Sequence, residues 1–248
     1  NAGLRFITEI AKMRAFVELW DEITRERYGI TDPKHRLFRY GVQVNSLGLT
    51  ESQPENNVQR IVLEMLAVTL SKNARARAIQ LPAWNEALGL PRPWDQQWAL
   101  RMQQVLALET DLLEYGDVLD GSPVIEAKVQ ELIDGALREI AQVEAHGGMV
   151  ACIDNGYVKR ELVQSHTRRM RNIESGELQI VGVNCYQESA ESPLTAGEES
   201  GIMKVDVRAE QEQIASLQAF RAQRDSAKVG EALQQLRSAA AGGSNIMP

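Results

Sequence analysis

The segment that sets the architecture of this chain reads Arg39-Tyr-Gly-Val-Gln-Val-Asn-Ser-Leu-Gly-Leu-Thr-Glu51 and continues as Gln53-Pro-Glu-Asn-Asn57. In its first part, residues 40–44, β-branched valines alternate with glycine and glutamine, which is typical of a short half-buried strand. A polar loop follows, and a helical periodicity begins at Asn56. A strand that ends in a polar loop before a helix is the repeating unit of parallel barrels, and such loops hold the ligands of those barrels.

Bulk composition limits the class of protein. The chain has 248 residues, of which 44% are apolar, so a sizeable core is expected. A net charge of −7 argues against a protein that binds a phosphate backbone, because such proteins need a basic surface. Cys152 and Cys185 are too few for a disulfide framework, and no apolar run approaches the ~20 residues of a membrane span. We therefore expect a cytoplasmic protein without nucleic-acid or membrane partners.

Both ends of the sequence lead us to expect that the chain is part of a larger protein. Residue 1 is Asn rather than Met, and a helical pattern is already in progress over residues 4–27. The last residues, Ser244-Asn-Ile-Met-Pro248, carry no capping signal. The alternative is a mature protein whose initiator Met has been removed.

Strands and helices are expected to alternate over residues 1–145. The sequence predicts helices over residues 4–27, 56–71 and 94–108, and strands over residues 39–45, 76–81 and 117–122. Such alternation is typical of a parallel sheet with helices outside it. The residues alone therefore predict an α/β fold, a piece of a parallel barrel with a polar ligand-facing end.

The later part of the chain has a different pattern. Amphipathic helices are predicted over residues 124–146, 158–173, 209–220 and 227–241, with one strand at 179–183 and an exposed loop at 189–201. Gly147-Gly148 is interpreted as a helix end rather than a phosphate cradle. We therefore expect residues 146–248 to form a mainly helical connector.

Familiar catalytic motifs do not occur in the sequence. His35, His146 and His166 share no metal-ligand spacing with the cysteines, so a metal site is not expected. No nucleophile elbow, Walker loop or dinucleotide fingerprint is present. The basic cluster at 166–171 is interpreted as a solvated or interdomain face rather than an anion site.

Several separated motifs give the chain a resemblance to a known family. They are Asn45-Ser-Leu-Gly-Leu-Thr-Glu-Ser-Gln-Pro-Glu-Asn-Asn-Val58, Asn85-Glu-Ala-Leu-Gly-Leu-Pro91, and Gly182-Val-Asn184 followed by Tyr186. In this order they resemble segments of the adenosylcobalamin-dependent acyl-CoA mutases of the methylmalonyl-CoA type. Phe6-Ile-Thr-Glu-Ile-Ala-Lys-Met-Arg-Ala15 is similar to the helix that precedes this strand in the family. The resemblance runs through almost all of the chain.

The resemblance implies a fold, a cofactor and partners. Residues 1–145 would be the C-terminal half of a (β/α)8 TIM-type barrel that binds the acyl-CoA substrate. Residues 146–248 would lead toward a cobalamin-binding domain outside this chain. The implied enzyme is an isomerase, a mutase that carries out a radical rearrangement with adenosylcobalamin. Its implied partners are the remainder of the mutase, a second copy in a homodimer and a GTPase metallochaperone.

The resemblance also implies a substrate. Residues 39–45 and 81–98 most resemble family members that convert ethylmalonyl-CoA to methylsuccinyl-CoA. The methylmalonyl-CoA mutase pattern has His-Ser-Gln-Thr-Ser-Gly where this chain has residues 41–46, and histidine where it has Gln80. Methylmalonyl-CoA or a branched acyl-CoA are the alternative substrates. A non-catalytic chain that completes a barrel with a partner is the alternative function.

Site residues follow from the same resemblance. The family's catalytic residues and cobalt ligand are expected outside this chain, so no catalytic or metal-binding residue is predicted in it. The residues predicted to bind substrate or CoA are Arg39, Gln43, Asn45 and Ser46. The residues predicted to bind the cofactor are Gln80, Gln104 and Glu109.

Each of these residues has an alternative structural role. Arg39 would pair with an acidic neighbour, Gln43 and Gln80 would be ordinary barrel-layer residues, and Gln104 and Glu109 would lie on a helix face. Asn56-Asn57 is interpreted as a helix N-cap, because Asn accepts hydrogen bonds from free N–H groups there. The three tryptophans at 84, 94 and 98 are interpreted as packing residues.

Overall fold

The computed structural model describes residues 1–196 and 201–247. The part that it describes contains two strands, β1 (Gly41–Gln43) and β2 (Ala78–Gln80). Its α-helices are α1 (Phe6–Glu26), α2 (Asn56–Leu70), α3 (Pro93–Leu108), α4 (Pro123–Ala145), α5 (Met149–Asp154), α6 (Tyr157–Glu174), α7 (Val207–Gln223) and α8 (Ser226–Ala241). The chain divides into two units, Asn1–Met203 and Lys204–Pro248.

The two strands are parallel and lie next to each other. Val42 is paired with Ile79, and the backbone N–H of Val44 extends the ladder by donating to Gln80 O at 2.9 Å. On the other side of β1, Ala2 forms a parallel bridge with Val44. The fold is therefore helix-rich α/β with a small parallel sheet, as the sequence predicts, and the described residues do not close into a barrel.

The two faces of the sheet differ in burial. Val42 is buried on one face, where it packs with Met13 of α1 and Val68 of α2. Gly41 and Gln43 are exposed on the other face, as expected for the period of two along a strand. The helices cover one face and leave the polar face open.

Helices α1 and α4 pack through residues spaced three and four apart. Ile10, Ala11, Ala15 and Leu19 of α1 are buried in one cluster with Ile125, Val129 and Ile133 of α4. A second cluster joins Ile61 and Met65 of α2 to Ala99 and Met102 of α3. The predicted boundaries of α1, α2 and α3 agree with the structure to within two residues.

The strand predicted at residues 117–122 is wrong, because these residues form a turn before α4. The Asp117 carboxylate accepts hydrogen bonds from Leu119 N at 3.0 Å and Asn73 N at 2.9 Å, and Arg14 Nη2 donates to it at 2.7 Å. A side chain that satisfies nearby backbone N–H groups competes with strand pairing. Gly121 has φ +72°, which also breaks an extended conformation.

The strand predicted at residues 179–183 is also wrong. These residues enter a tight turn in which Gly182 has φ +82° and Val181 forms only an isolated bridge with Cys185. Asn184 closes the turn, since its Oδ1 accepts from Ile180 N at 2.7 Å and its Nδ2 donates to Leu178 O at 2.8 Å. The apolar run Ile180–Val183 therefore belongs to a turn rather than to a sheet, and Val181 and Val183 are exposed in it.

The predicted helices of the later chain are present, together with one that the sequence pattern did not predict. Gly147 and Gly148 both have φ +92°, and their N–H groups cap the end of α4 by donating to Glu144 O and Val143 O. The short helix α5 begins at once after them. The cluster at 166–171 is exposed on α6. In the predicted loop at 189–201, residues 189–196 contain no helix or strand, and 197–200 lie outside the described residues.

The second unit contains α7 and α8. Asp206 caps α7 by accepting from Arg208 N at 2.9 Å, and Asp225 caps α8 by accepting from Ala227 N at 3.0 Å.

Among the residues that the structure describes, no helix has both the length and the apolar character that crossing a membrane requires.

Candidate functional site

The candidate site begins with two glutamines at the ends of the parallel strands. Gln43 and Gln80 are partners in the register of β1 and β2, and both are exposed on the open face of the sheet. Each primary amide carries two N–H donors and one acceptor oxygen. The layer before them holds Gly41 beside Ala78, and a Cβ placed on Gly41 would lie 3.6 Å from the Cβ of Ala78. The side-chain amides of Gln43 and Gln80 are thus adjacent, and the pair before them on the same face, Gly41 and Ala78, is small.

Asn45 and Ser46 start the loop that follows β1. Asn45 Oδ1 accepts a hydrogen bond from Leu47 N at 3.0 Å and so caps the 3-10 turn Ser46–Gly48. Asn45 N donates to Ala2 O at 2.7 Å, which fixes the start of the loop against the N-terminal segment. The structure therefore brings Gln43, Asn45, Ser46 and Gln80 together at one end of the sheet.

Arg39 lies at the other end of β1 and is exposed. Its Nη2 approaches Lys34 O at 3.5 Å, which is too long for a strong hydrogen bond. Within residues 1–196 and 201–247 it forms no ion pair with a carboxylate, so the structural alternative for Arg39 has no support among those residues.

Gln104 and Glu109 lie on α3 and at its C-terminal end. Gln104 is exposed on α3 and accepts a hydrogen bond from Arg101 Nη1. Glu109 ends the same helix, is also exposed, and its N–H donates to Val105 O at 3.0 Å. Among the described residues, no hydrogen bond joins either residue to Gln80.

Asn57 holds the loop of residues 45–57 together. It is fully buried, its Oδ1 accepts from Thr50 N at 2.9 Å, and its Nδ2 donates to Thr50 O at 2.8 Å and Trp84 O at 2.9 Å. The prediction that Asn56-Asn57 caps α2 is wrong, because Glu55 occupies the N-cap position and its side chain makes no capping bond. The side chain of Asn57 points into the loop. There it forms hydrogen bonds with backbone groups of Thr50 and Trp84, which have no strand or helix partner.

Arg60 is a residue that the motif search missed. It is 8% exposed, and its Nη1 donates to Thr50 Oγ1 and to Asn57 Oδ1, both at 2.7 Å. Its Nη2 donates to Val181 O at 2.8 Å. Burial lowers the pKa of the guanidinium, and the neighbouring Glu64 opposes that change. The available signal is a polar row at helical spacing, formed by Asn57, Arg60 and Glu64, within a helix that is largely apolar.

Glu64 continues this row beneath the loop after β1. It is 1% exposed, and neither carboxylate oxygen has a hydrogen-bond partner among the residues described. A Cβ placed on Gly48 would lie 3.4 Å from Glu64 Oε1. Burial raises the pKa of Glu64 to about 8, the charge of Glu9 adds to this, and Arg60 opposes it. Burial thus favours the protonated form of this carboxyl.

A second buried network follows β2. Asp95 accepts hydrogen bonds from Trp84 Nε1, Asn85 Nδ2 and Arg92 N, each at 2.8 Å. Burial alone would raise the pKa of Asp95, but the hydrogen bonds from Arg92 and Trp84 outweigh it and lower the pKa. Trp84 is 1% exposed, which agrees with its interpretation as a packing residue. The ring of Trp94 lies 6.2 Å from Trp84 and 5.7 Å from Trp98.

The described ranges contain no group of three or more His, Cys, Asp or Glu side chains arranged to hold a metal ion. The groups that the site offers are amides and hydroxyls at the ends of the strands, and the exposed guanidinium of Arg39 lies at the opposite end of β1. Such groups are able to donate hydrogen bonds to a polar ligand and to accept them from it.

Comparison with known proteins gives this site its context. The family model described as methylmalonyl-CoA mutase matches residues 1–248. The chain is 64% identical over its whole length to the ethylmalonyl-CoA mutase of Cereibacter sphaeroides and 61% identical to that of Methylorubrum extorquens, and it covers 38% and 36% of those proteins. It is 34% identical over 246 residues to the methylmalonyl-CoA mutase of Escherichia coli, of which it covers 33%. A match over its full length shows that the chain belongs to the methylmalonyl-CoA mutase family.

Proposed function

We propose that this chain is part of a mutase that rearranges the carbon skeleton of ethylmalonyl-CoA to give methylsuccinyl-CoA. The observation that carries the proposal is the difference in identity between two groups of relatives. Identity is 64% and 61% to two ethylmalonyl-CoA mutases and 34% to the methylmalonyl-CoA mutase of Escherichia coli. Because each comparison covers at least 246 residues, the difference belongs to the whole chain rather than to one motif.

The proposal assigns a place in a larger enzyme to each part of the chain. The chain spans somewhat more than a third of the length of these two ethylmalonyl-CoA mutases. Residues 1–145 form the C-terminal half of a (β/α)8 barrel, and residues 146–248 form the connector to a cobalamin-binding domain. The parallel order of Ala2, β1 and β2 supports this assignment, since consecutive strands of such a barrel are neighbours. The complete enzyme is a cytoplasmic homodimer served by a GTPase metallochaperone.

The strand ends bind the substrate in this proposal. Gln43, Asn45 and Ser46 orient the acyl and pantetheine parts through hydrogen bonds, and Arg39 contacts the CoA tail. An exposed guanidinium that has no carboxylate partner within residues 1–196 and 201–247 suits a phosphate, which it can bind through two parallel N–H donors. The small residues Gly41 and Ala78 leave room on the open face for the substrate chain.

Adenosylcobalamin fits the polar groups at the same strand ends. The exposed amide of Gln80 offers both donor and acceptor groups to the cofactor's nucleoside, and Gln104 and Glu109 are further candidates on α3. When bound, this cofactor supplies the radical chemistry of the rearrangement. The role of the chain is to bind and orient the substrate and the cofactor, and to keep water away from the reacting atoms.

Turnover of competing thioesters by the complete mutase tests this proposal. Ethylmalonyl-CoA and methylmalonyl-CoA differ by one methylene, and a matched apolar pocket discriminates a methylene by about 10- to 200-fold in kcat/KM. We expect kcat/KM to be highest for ethylmalonyl-CoA and to be lower for methylmalonyl-CoA and for a branched acyl-CoA. A preference for methylmalonyl-CoA would show that the substrate assignment is wrong. An absence of turnover with every thioester, in the presence of adenosylcobalamin, would favour a non-catalytic role.

A further inference from the structure

The loop of residues 45–57 is attached to a turn that is distant in the sequence. This turn comprises residues 181–186, and we refer to it as the 181–186 turn. Ser52 Oγ donates to Gly182 O at 2.6 Å, and Gln53 Nε2 donates to Tyr186 O at 2.8 Å. Arg60 Nη2 donates to Val181 O at 2.8 Å. Three side chains thus bind three backbone carbonyls of one short turn.

Arg60 joins the turn to the loop and to α2. Its Nη2 binds the turn, while its Nη1 binds Thr50 Oγ1 and Asn57 Oδ1 inside the loop. A guanidinium presents its N–H donors in a rigid planar fork, so these bonds fix relative positions as well as adding attraction. Lysine at this position would keep the charge but not the geometry.

The backbone at this contact adopts a conformation that needs support. Gln53 has φ +48° and Tyr186 has φ +51°, which lie in the left-handed region that non-glycine residues seldom occupy. Gly182 has φ +82°, and a Cβ placed on it would lie 3.0 Å from Cδ and Oε1 of Gln53. Residues in such conformations persist where the surroundings determine them, and they concentrate at functional sites.

We propose that the 181–186 turn is a positioning element of the substrate site and that Arg60 is its central positioning residue. The turn holds the 45–57 loop in one conformation and thereby places Asn45 and Ser46, at the start of that loop, for the acyl-CoA. This inference rests on the proposed function. It assigns the connector a part in substrate binding, in addition to its role in leading to another domain.

Substitutions in the complete mutase test the inference. Arg60→Lys removes the fork, and Ser52→Ala removes one bond of the contact with less risk to folding. Val183→Ala is the matched control, because Val183 lies in the same turn and its side chain is 39% exposed. The first readout is amide hydrogen exchange of residues 45–57, followed by mass spectrometry. The second is the separate change of KM and kcat for the CoA thioester that the unsubstituted enzyme prefers.

For Arg60→Lys we expect faster exchange in residues 45–57 and a KM raised about 10-fold, the usual order for a lost charge-assisted hydrogen bond. We expect kcat to change by less than about 3-fold, because the lost interaction serves binding in the ground state and the transition state alike. Ser52→Ala should change both readouts in the same direction but less, and Val183→Ala should change neither.

The outcomes separate this inference from the proposed function. Faster exchange with an unchanged KM would overturn the positioning role while leaving the mutase activity in place, and so would unchanged exchange. If the enzyme prefers methylmalonyl-CoA, the substrate assignment fails. The separate changes of KM and kcat, measured with that thioester, still decide the role of Arg60. If no thioester turns over, free CoA becomes the probe, and equal affinity of the unsubstituted and Arg60→Lys proteins would overturn the inference. If Arg60→Lys does not fold, Ser52→Ala against Val183→Ala decides it.

Discussion

Asp117→Asn is the substitution whose effect follows most directly from the structure. The Asp117 carboxylate is 1% exposed and connects three elements: Arg14 of α1, the backbone of Asn73 after α2, and Leu119 in its own turn. Asparagine has nearly the same shape, so the change removes charge and acceptor capacity without leaving a cavity. It therefore tests electrostatics and hydrogen bonding apart from packing.

The size of the effect can be worked out from the three donors. Oδ1 accepts from Arg14 Nη2 at 2.7 Å and from Leu119 N at 3.0 Å, while Oδ2 accepts from Asn73 N at 2.9 Å. In asparagine one of these oxygens becomes an NH₂ group that faces a donor. Among the described residues, the other carboxylate that pairs with Arg14 is that of Glu126, at 3.5 Å, and that side chain is 54% exposed. Removal of one member of a buried ion pair costs roughly 3–5 kcal/mol, and the retained oxygen favours the lower figure.

Native-state hydrogen exchange on the complete protein measures the loss of stability in the segments around Asp117. A loss of about 3 kcal/mol corresponds to exchange accelerated by roughly 100-fold, since about 1.4 kcal/mol is a factor of ten. We expect this acceleration in peptides that cover Asn73 and Leu119. Asp120→Asn makes the same chemical change at an exposed position in the same turn and should leave exchange unchanged. Equal exchange in the two variants would refute the reasoning.

Further predictions concern the candidate site and its surroundings. Arg39→Ala in the complete enzyme should raise KM for the CoA thioester more than it lowers kcat, whereas Lys34→Ala, the loss of a nearby exposed cation, should leave KM unchanged; an unchanged KM in Arg39→Ala would remove this residue from the CoA site. Gln80→Leu should raise the apparent KM for adenosylcobalamin by about 10-fold with little effect on the thioester KM, and Gln43→Leu should show the reverse pattern; a shared pattern would contradict the division of roles. Glu64→Gln should flatten the dependence of stability on pH. The pKa of Glu64 is raised from 4.5 to about 8 in the folded protein, so the native protein loses stability as the pH rises from 4.5 to about 8. Between pH 6 and pH 9 this amounts to about 3 kcal/mol, which thermal unfolding would detect as a larger fall in Tm for the unsubstituted protein than for the variant.

Local sequence patterns predicted most of the helices and both strands because these elements have their own periodicity. The apolar spacing of Ile61, Met65 and Val68 marks α2, and the alternation around Val42 marks β1. The two false strands at 117–122 and 179–183 have a common cause. In each, a polar side chain, Asp117 or Asn184, accepts hydrogen bonds from backbone N–H groups of its own segment, which a strand would have paired with a neighbour. A single sequence does not show which partner a backbone group will choose.

The candidate site was predictable only in part. Gln43 and Gln80 were predicted as pocket residues of two strands, and the structure makes them direct neighbours in the parallel register. Their roles as ligand contacts stay a prediction. The hydrogen bonds of Arg60 were not predictable, because its partners Thr50 and Val181 lie 10 and 121 residues away, and the bond to Val181 is accepted by a backbone carbonyl. Contacts to backbone atoms across such distances leave no signature in residue types.

The tryptophans offer an optical reporter. Of the four in the sequence, three lie around the start of α3, with successive ring centroids about 6 Å apart, while Trp20 lies on α1. Excitation energy passes readily between indoles at such separations, so this cluster should emit as a coupled group with depolarised fluorescence. Loosening of α3 from the segment after β2 would separate Trp84 from this group and restore part of the polarisation, while Trp94 and Trp98 stay coupled until the helix itself melts. Fluorescence anisotropy of the chain in which Trp20 is replaced by Phe would therefore follow the docking of a single helix, in a protein without any attached dye.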